Sequence, residues 1–293
     1  MINSEIDEFF KNGVNTEVVQ YDDTVEIEKK LIYAMSQVIG TRNEQQDRIA
    51  VKEKNKQLLA VVCDGMGGLS GGQIASKYVV EQLIEDFEKD ENTNPTDFLL
   101  NEAIQLDKEI NELKDENGKY IGAGTTLVAV IIKDHKLYYV SVGDSRIYLI
   151  RKEEIAQITE DQNYRLTLKR ELENNTLSQE EYLKEIPYAD ALISYIGMGG
   201  LKVIEYNSDY PLELKDGDKI LLCSDGFYRS FSEKEIIEDK SFKVVTVARF
   251  ENFSIEEDVK RMIEKAAQKN ILQGKKQDNT SGILVIIPED GRK

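Results

Sequence analysis

The sequence predicts an α+β fold made of layered, mainly antiparallel β-sheets. Most of its apolar segments are between four and nine residues long, which is the length of strands rather than of helices. Two of these segments, residues 126–132 and 137–142, flank a tight turn at residues 133–136, a pattern typical of an antiparallel hairpin. Two helical segments also follow one another along the chain, whereas a doubly wound fold would place a helix after each strand.

The individual elements follow from the same patterns. Residues 72–88 and 96–114 are predicted as helices, the first because Ile74, Tyr78 and Leu83 follow a glycine-rich turn at broadly helical spacing. A further helix is expected near residues 255–272. Strands are predicted at residues 31–39, 58–63, 126–132, 137–142, 146–150, 220–223 and 283–287.

The length of 293 residues and the hydrophobic content of 40% are compatible with one large domain. We expect residues 31–288 to form this domain, after an acidic extension at residues 1–30 that contains a short amphipathic segment at residues 4–11. Residues 161–190 are highly charged and are expected to form a helical insertion over the sheet edge. We call this segment the flap, because a surface excursion of this kind is suited to contacting a substrate.

The composition argues against several classes of protein. A net charge of -17 opposes binding to nucleic acid or to anionic lipid. The first ten residues lack the basic start and apolar run of a signal peptide, and no segment approaches the roughly 18 apolar residues of a membrane span. Cys63 and Cys223 lie inside apolar runs, as buried cysteines of a reduced protein do. We therefore expect a cytoplasmic protein, and a monomer.

Four aspartates stand beside apolar strand segments and are each followed by Gly, Ser or Asn. They are Asp64 in VVCDGMGG, Asp144 in VGDSR, Asp225 in LLCSDGF and Asp278 in QDNTSGILV. Any one of them alone is explained equally well as a turn residue. Together they suggest a cation site, because Mg²⁺ and Mn²⁺ prefer carboxylate and carbonyl oxygens and because strand ends hold such groups rigidly.

These aspartates belong to a longer series of motifs that extends over nearly the whole chain. In order, the motifs are TRNEQQD (41–47), VVCDGMGGLSGGQIAS (61–76), GAGTTLVAV (122–130), VSVGDSRIYLIR (140–151), ITEDQNYRL (158–166), ILLCSDGF (220–227) and QDNTSGILV (277–285). The ordered series resembles the type 2C, or PPM, metal-dependent serine/threonine protein phosphatases, particularly their bacterial branch. The resemblance implies a four-layer αββα sandwich, with two mainly antiparallel sheets flanked by helices and a metal cleft at one edge.

The resemblance also implies roles for individual residues. Asp64 would bridge two divalent cations, Mn²⁺ or Mg²⁺, and Asp225 and Asp278 would complete the first site. The carbonyl of Gly65 would join Asp64 at the second site, which Asp47 would support through bound waters.

Three further positions match the family. Arg42 would hold the substrate phosphate with its planar donor fork. Asn279 would orient the neighbouring ligand Asp278. A third cation, if one binds, would be held by Asp144 with Asp225.

The implied reaction is hydrolysis of phosphoserine and phosphothreonine in proteins by a water that bridges two cations, without a phosphoenzyme intermediate. Cys63 does not begin a Cys-X5-Arg loop, and His135 is the only histidine. Cys223 does have Arg229 at that spacing, in CSDGFYR, but it lies inside an apolar run and is expected to be a buried cysteine rather than a nucleophile. The resemblance implies a phosphorylated protein as substrate and a cognate Ser/Thr kinase as a partner. Two alternatives stay open: a catalytically weak or inactive member that serves as a regulatory metal-binding scaffold, and a phosphatase of a small phosphorylated metabolite.

Three residues depart from the family pattern. Met66 stands where animal members carry a histidine that protonates the leaving group, so metal-bound water would take that role. Gln46 replaces a glutamate near the second metal, and its neutral amide should weaken cation binding there. Arg229 stands where many relatives have an aspartate, which makes a third metal less secure.

The remaining polar residues of these motifs have structural interpretations. Thr125 and Thr126 are most simply β-branched strand residues, and contact with the site is the less favoured alternative. Arg146 is expected to form a structural ion pair rather than to bind substrate.

Overall fold

The strands of the protein form two sheets in which every pair of neighbouring strands is antiparallel. The computed structural model describes residues 14–15, 31–67, 71–91, 93–208, 210–239 and 255–288. In spatial order, the first sheet contains β1 (Val14–Asn15), β2 (Ile32–Val38), β13 (Thr280–Ile286), β12 (Lys219–Cys223), β8 (Arg146–Arg151) and β9 (Glu154–Gln157). The second contains β10 (Glu205–Tyr206), β7 (Lys136–Val142), β6 (Leu127–Lys133), β4 (Gln57–Met66) and β3 (Asp47–Lys54), with β11 (Leu212–Glu213) paired to β7 and β5 (Gly124–Thr125) to β4.

Helices cover the outer faces of these sheets. In chain order they are α1 (Gly71–Lys89), α2 (Pro95–Glu112), α3 (Tyr164–Glu173), α4 (Gln179–Glu185), α5 (Asp225–Tyr228), α6 (Glu233–Glu238) and α7 (Ile255–Leu272), with a 3₁₀ turn at Ile186–Tyr188. Asn94 caps α2 by accepting a hydrogen bond from the Thr96 amide, and Pro95 occupies its first position.

The packing of strand β4 shows how the layers are stacked. Its side chains alternate, as those of any strand do: Leu58, Ala60 and Val62 enter the core between the two sheets. Val61 and Cys63 point the other way, into the core beneath helices α1 and α2. Because both faces of the strand are buried, its sequence is a nearly continuous apolar run.

A third core lies beneath the other sheet, where Val259, Met262 and Ile263 of helix α7 pack against strands β2 and β13. The layers are therefore helix, sheet, sheet, helix, which confirms the predicted αββα sandwich. Cys63 and Cys223 are free and buried in the two outer cores, as their apolar surroundings predicted.

All seven predicted strand segments are strands, and the turn at residues 133–136 joins β6 to β7. Asp134 and His135 have φ angles of 49° and 58°, which identify a type I′ turn. Two strands of four or more residues, β3 and β9, were missed. Both lie at sheet edges, where solvent-facing charges such as those of DRIAVKEK in β3 interrupt the apolar pattern.

The predicted helices are present, with ends that differ by one or two residues. Helices α3 and α4 lie within the flap, as its charged sequence suggested. Of the predicted N-terminal extension only β1 is described, and it pairs with β2, so the amphipathic segment at residues 4–11 lies outside the described residues. In the described part of the chain, no helix is long and apolar enough to span a bilayer.

Candidate active site

The site begins where the two sheets meet, at Asp47 and Asp64. These residues are directly opposite each other in the β3–β4 ladder, so the strand register alone brings them together. Asp47 is fully buried, and its Oδ2 accepts a hydrogen bond of 2.8 Å from the hydroxyl of Ser224. Because Ser224 follows β12 of the first sheet, this bond joins the two sheets at the site. Ser224 was not singled out from the sequence.

The backbone of Asp64 is held by two threonines. The Asp64 amide donates to Thr126 Oγ1 at 2.9 Å, and Thr125 Oγ1 donates to the Asp64 carbonyl, also at 2.9 Å. Thr126 Oγ1 further shares a hydrogen bond of 2.7 Å with the hydroxyl of Ser145, next to Asp144. The expectation that these threonines are only strand residues was therefore wrong, since their hydroxyl groups fix the position of Asp64.

Glycines allow helix α1 to approach Asp64 closely. A Cβ atom on Gly65 would collide with the carbonyl of Gly72, and one on Gly72 would collide with Gly65. The Gly65 amide donates to the carbonyl of Gln46 at 3.2 Å, and Ser76 of α1 donates to the same carbonyl at 2.5 Å. Gln46 thus positions the site through its backbone, and the predicted role of its side chain stays a prediction.

Asp225 follows a strand of the first sheet, and Asp144 lies in the loop that connects β7 of the second sheet to β8 of the first. Asp225 is the first residue of α5 and follows β12, while Asp144 follows β7 in a tight loop and is only 5% exposed. Arg229, one helical turn after Asp225, places its Nε 3.1 Å from Asp225 Oδ2 and its Nη2 3.5 Å from Asp144 Oδ2. The departure noted at Arg229 thus introduces a cation among the predicted metal ligands.

Asp278 lies just before β13 and pairs with Arg42. Arg42 Nη2 is 2.5 Å from Asp278 Oδ2, and the Asn279 amide donates to Asp278 Oδ1 at 2.9 Å. Asn279 does orient Asp278, but through its backbone. Its side chain instead holds the loop that carries Arg42, donating to the carbonyls of Ile39 and Glu44 at 2.7 and 3.1 Å.

The carboxyl groups of this site have pKa values above the ordinary range. Burial raises the pKa of Asp47 to about 7 and that of Asp144 to about 7, and nearby Asp225 adds repulsion to both. Burial also raises the pKa of Asp64 and of Asp225, reinforced for Asp64 by the charge of Asp47 and opposed for Asp225 by Arg229. An acidic cluster of this kind needs additional positive charge if all its members are to ionise near neutral pH.

The donor set fits divalent cations. Asp47 Oδ1 and Asp225 Oδ1 are buried without a hydrogen-bond partner, which leaves two carboxylate oxygens free to bind a hard cation. Among the described residues, however, no three acidic, histidine or cysteine side chains already surround a common point. Arg42 and Arg229 instead pair with Asp278 and Asp225.

No protein nucleophile accompanies these carboxyl groups among the predicted candidates. Burial raises the pKa of the Cys63 and Cys223 thiols well above the ordinary value, so neither supplies a thiolate. The Cys-X5-Arg spacing of Cys223 and Arg229 therefore forms no phosphate loop, because Cys223 is fully buried while Arg229 faces the carboxyl groups of the site. His135 lies at the β6–β7 turn, at the far end of strands whose seven residues span about 20 Å. Arg146 forms the expected structural ion pair, with Nε and Nη2 at 2.8 and 2.7 Å from the two oxygens of Asp161.

Replacing Thr126 by valine tests how much Asp64 depends on its hydroxyl support. The isosteric change leaves the buried Asp64 amide without an acceptor, which should cost about 1–3 kcal/mol of stability. It should also lower kcat/KM for phosphate release by about tenfold, because Asp64 can then shift. Thr96→Val is the matched control: its hydroxyl also bonds a distant carbonyl, that of Asn207 at 3.0 Å, but at the start of α2. Equal kcat/KM for the two variants would contradict this role of Thr126.

Comparison with known proteins agrees with this architecture. Residues 38–266 match the family model described as protein phosphatase 2C. The chain is 33% identical over 207 residues to the serine/threonine phosphatase stp of Listeria innocua, an alignment that covers 67% of this chain and 77% of that protein. The structure of the S. agalactiae serine/threonine phosphatase superposes with a TM-score of 0.71 and 25% identity, covering 88% of this chain and 100% of that one.

A second solved structure is the catalytic domain of the serine/threonine protein phosphatase PstP in complex with two manganese ions. It superposes with a TM-score of 0.65 and 24% identity, and covers 88% of this chain and 99% of that one. The family model spans the site from before Arg42 to beyond Asp225, and the relative from Listeria supports the same assignment. The chain is therefore a member of the protein phosphatase 2C family.

Proposed function

We propose that this chain is a metal-dependent phosphatase that hydrolyses phosphoserine and phosphothreonine in proteins. The observation that carries the proposal is the meeting of buried acids from both sheets, with Asp47 Oδ1 and Asp225 Oδ1 left without hydrogen-bond partners. Family membership supports the reaction class, and the serine/threonine phosphatases among the relatives support the substrate class.

We assign the carboxyl groups as cation ligands. Asp64, Asp225 and Asp278 would hold one divalent cation, while Asp64 and the Gly65 carbonyl would hold a second with the support of Asp47. Bound Mn²⁺ or Mg²⁺ would supply an activated water and neutralise the phosphoryl oxygens. The oxygen ligands suit either ion, and the two manganese ions of the PstP structure favour two Mn²⁺.

Arg42 is the residue we assign to the substrate phosphate. Its side chain is 57% exposed, so an incoming phosphate can reach the guanidinium without entering the core. The loop that carries it is fixed by Thr41, whose hydroxyl both donates to the Gln277 carbonyl at 3.0 Å and accepts from the Gln277 amide at 2.9 Å. A planar fork held on a rigid loop is suited to bidentate phosphate binding.

One observation favours a second candidate function. Arg229 neutralises part of the charge of Asp225, and Arg42 does the same for Asp278. If these pairs weakened metal binding enough to prevent catalysis, the chain would act as a regulatory scaffold with little activity. The metabolite-phosphatase alternative shares the chemistry and differs only in substrate.

The test is phosphate release from p-nitrophenyl phosphate, a phosphothreonine peptide, a phosphotyrosine peptide and a panel of phosphorylated metabolites, each with Mn²⁺ or with EDTA. We expect manganese-dependent hydrolysis of p-nitrophenyl phosphate and a preference for the phosphothreonine peptide. A protein that binds manganese but releases no phosphate would support the scaffold. Faster hydrolysis of a phosphorylated metabolite than of the phosphothreonine peptide would support the metabolite-phosphatase alternative, with the same metal-dependent reaction.

Gln46→Glu tests the second cation site. A carboxylate in place of the neutral amide should bind the cation, or its waters, more strongly, so the variant should need less Mn²⁺ for half-maximal activity, by about threefold to tenfold. Manganese titrations of the wild type and the variant at fixed substrate measure this. Equal manganese concentrations at half-maximal activity would show that the Gln46 side chain does not contribute to the second cation site.

The remaining assignments concern the domain boundaries, the flap, the cellular location, the oligomeric state and the kinase. We propose that residues 31–288 form the phosphatase domain, with a flap at about 161–190 that contacts the protein substrate. We also propose a cytoplasmic monomer whose substrates are phosphorylated by a cognate Ser/Thr kinase. Light scattering of the purified protein and phosphoproteomics of a strain lacking it would test these assignments.

A further inference from the structure

Arg229 is placed at the site by a single helical turn. Its amide donates to the carbonyl of Asp225 at 2.9 Å, so the two residues stand at positions i and i+4. That spacing puts both side chains on the same face of α5. The guanidinium therefore lies over the carboxyl group of Asp225, with 3.1 Å between Nε and Oδ2.

The other two nitrogens of this guanidinium reach carboxyl groups on separate segments. Nη2 lies 3.5 Å from Asp144 Oδ2, and Nη1 lies 3.4 Å from Asp190 Oδ2. The side chain of Asp144 is only 7% exposed, whereas that of Asp190 is 55% exposed at the end of the flap. One side chain thus bridges the buried Asp144, the partly buried Asp225 and one acid of the flap.

Asp190 extends this bridge into the flap. Its Oδ1 accepts a hydrogen bond of 2.8 Å from Nη2 of Arg165, in the first turn of α3. The amides of Tyr164 and Arg165 donate to the carbonyls of Ala191 and Ala189, both at 2.8 Å, so the start of α3 is attached to the same segment. The ion pairs therefore connect α3 through Asp190 and Arg229 to the floor of the site.

We propose that Arg229 is a built-in cation that takes the place of a third divalent ion between Asp144 and Asp225, and that it fastens the flap to the site through Asp190. The part of this inference that concerns metal rests on the proposed function. The guanidinium supplies positive charge to Asp144 and Asp225 and lies between their carboxyl groups, so a further ion would have to displace it. The attachment of the flap does not require metal.

The first experiment counts manganese ions by isothermal titration and by the electron paramagnetic resonance signal of free Mn²⁺. We expect two ions in the wild type, three in Arg229→Ala, and two again in Arg229→Ala/Asp144→Asn. Arg229→Lys keeps the positive charge and should bind two. Equal numbers in the wild type and Arg229→Ala, or three ions in the wild type, would overturn the replacement of a third ion by Arg229.

The second experiment measures amide hydrogen exchange of residues 164–185 in the metal-free protein. Loss of a partly exposed ion pair should speed exchange in this segment by about twofold to fivefold in Arg229→Ala and in Asp190→Asn. Asp190→Asn removes the flap contact but leaves Arg229 between Asp144 and Asp225, so it should still bind two manganese ions. Because Asp190→Asn also removes the Arg165 pair, Arg229→Ala is the decisive variant, and unchanged flap exchange in it would overturn the attachment of the flap by Arg229.

The two measurements also separate this inference from the proposed function. A wild type that binds no manganese would refute the proposed function together with the replacement of a third ion. Amide hydrogen exchange of the flap in the metal-free protein would then still confirm or refute the attachment of the flap by Arg229. Two ions with no phosphatase activity would refute the proposed reaction and leave the role of Arg229 supported.

Discussion

Replacing Asp64 by asparagine should lower kcat/KM for a phosphothreonine peptide by about a thousandfold or more in saturating Mn²⁺. The substitution keeps the size of the side chain and removes the charge of the proposed bridging ligand, so both cation sites lose affinity. Loss of the stabilisation that two cations give to the transition state accounts for about 4 kcal/mol or more, at 1.36 kcal/mol per tenfold in rate. Phosphate release and manganese titration on the same preparation measure both effects.

The matched control for this prediction is Asp134→Asn. Asp134 is an exposed aspartate at the β6–β7 turn, where its φ of 49° is one that asparagine adopts readily. The control should therefore keep the wild-type rate and manganese affinity. If Asp64→Asn folded normally and retained more than about a tenth of the wild-type activity, Asp64 could not be the bridging ligand.

The second large effect is a reversal by manganese of the pH dependence of stability. Burial raises the pKa of Asp144 from 3.8 to about 7, and Asp47 is shifted in the same direction. Between these pH values the folded protein binds more protons than the unfolded chain, so without metal its stability falls as pH rises from about 4 to about 7. The loss is on the order of 2–4 kcal/mol, or about 5–15 °C in Tm.

Manganese should act in the opposite direction, because it binds the ionised carboxylates and so binds more tightly as pH rises. We therefore expect Tm in EDTA to be higher at pH 5 than at pH 8, and excess Mn²⁺ to raise Tm far more at pH 8. Thermal unfolding at the two pH values, with and without metal, measures this. Asp144→Asn and Asp47→Asn should flatten the slope in EDTA. A metal-free wild type that is more stable at pH 8 than at pH 5 would contradict the raised pKa values of the buried Asp47 and Asp144.

The layers of the fold were predictable from the sequence because buried strands and helices carry apolar residues in recognisable local patterns. Strand β4 is buried on both faces, and its apolar run identified it directly. Strand β3 lies at a sheet edge and is mostly only partly buried, so its charged residues Lys52, Glu53 and Lys54 obscured the apolar pattern although the strand carries Asp47. A local apolar pattern predicts a strand only where the strand is well buried, and an edge strand is not buried enough to show that pattern.

The site was only partly predictable, because motifs identify residues and not their partners. The motifs pointed to Asp64, Asp225 and Asp278, and their role as cation ligands stays a prediction; the residues that support them were not foreseen. Thr126 holds Asp64 from 62 positions along the chain, and Ser224 holds Asp47 from 177 positions away. Such contacts depend on strand register and sheet packing, which a single sequence does not display.

Arg229 illustrates the same limit. The sequence showed that a basic residue replaces the aspartate of many relatives, which suggested only a weaker third metal. Its proximity to Asp225 follows from helical spacing and could have been deduced. Its contact with Asp190 could not, because that contact depends on how the flap lies over the sheet edge.

Diffraction from crystals soaked in Mn²⁺, recorded at the manganese absorption edge, tests the central claim most directly. The account predicts anomalous peaks for two ions among Asp64, Asp225 and Asp278 and beside the Gly65 carbonyl, with Arg229 still between Asp144 and Asp225. Crystals without a peak at these carboxylates, at millimolar manganese and neutral pH, would contradict it.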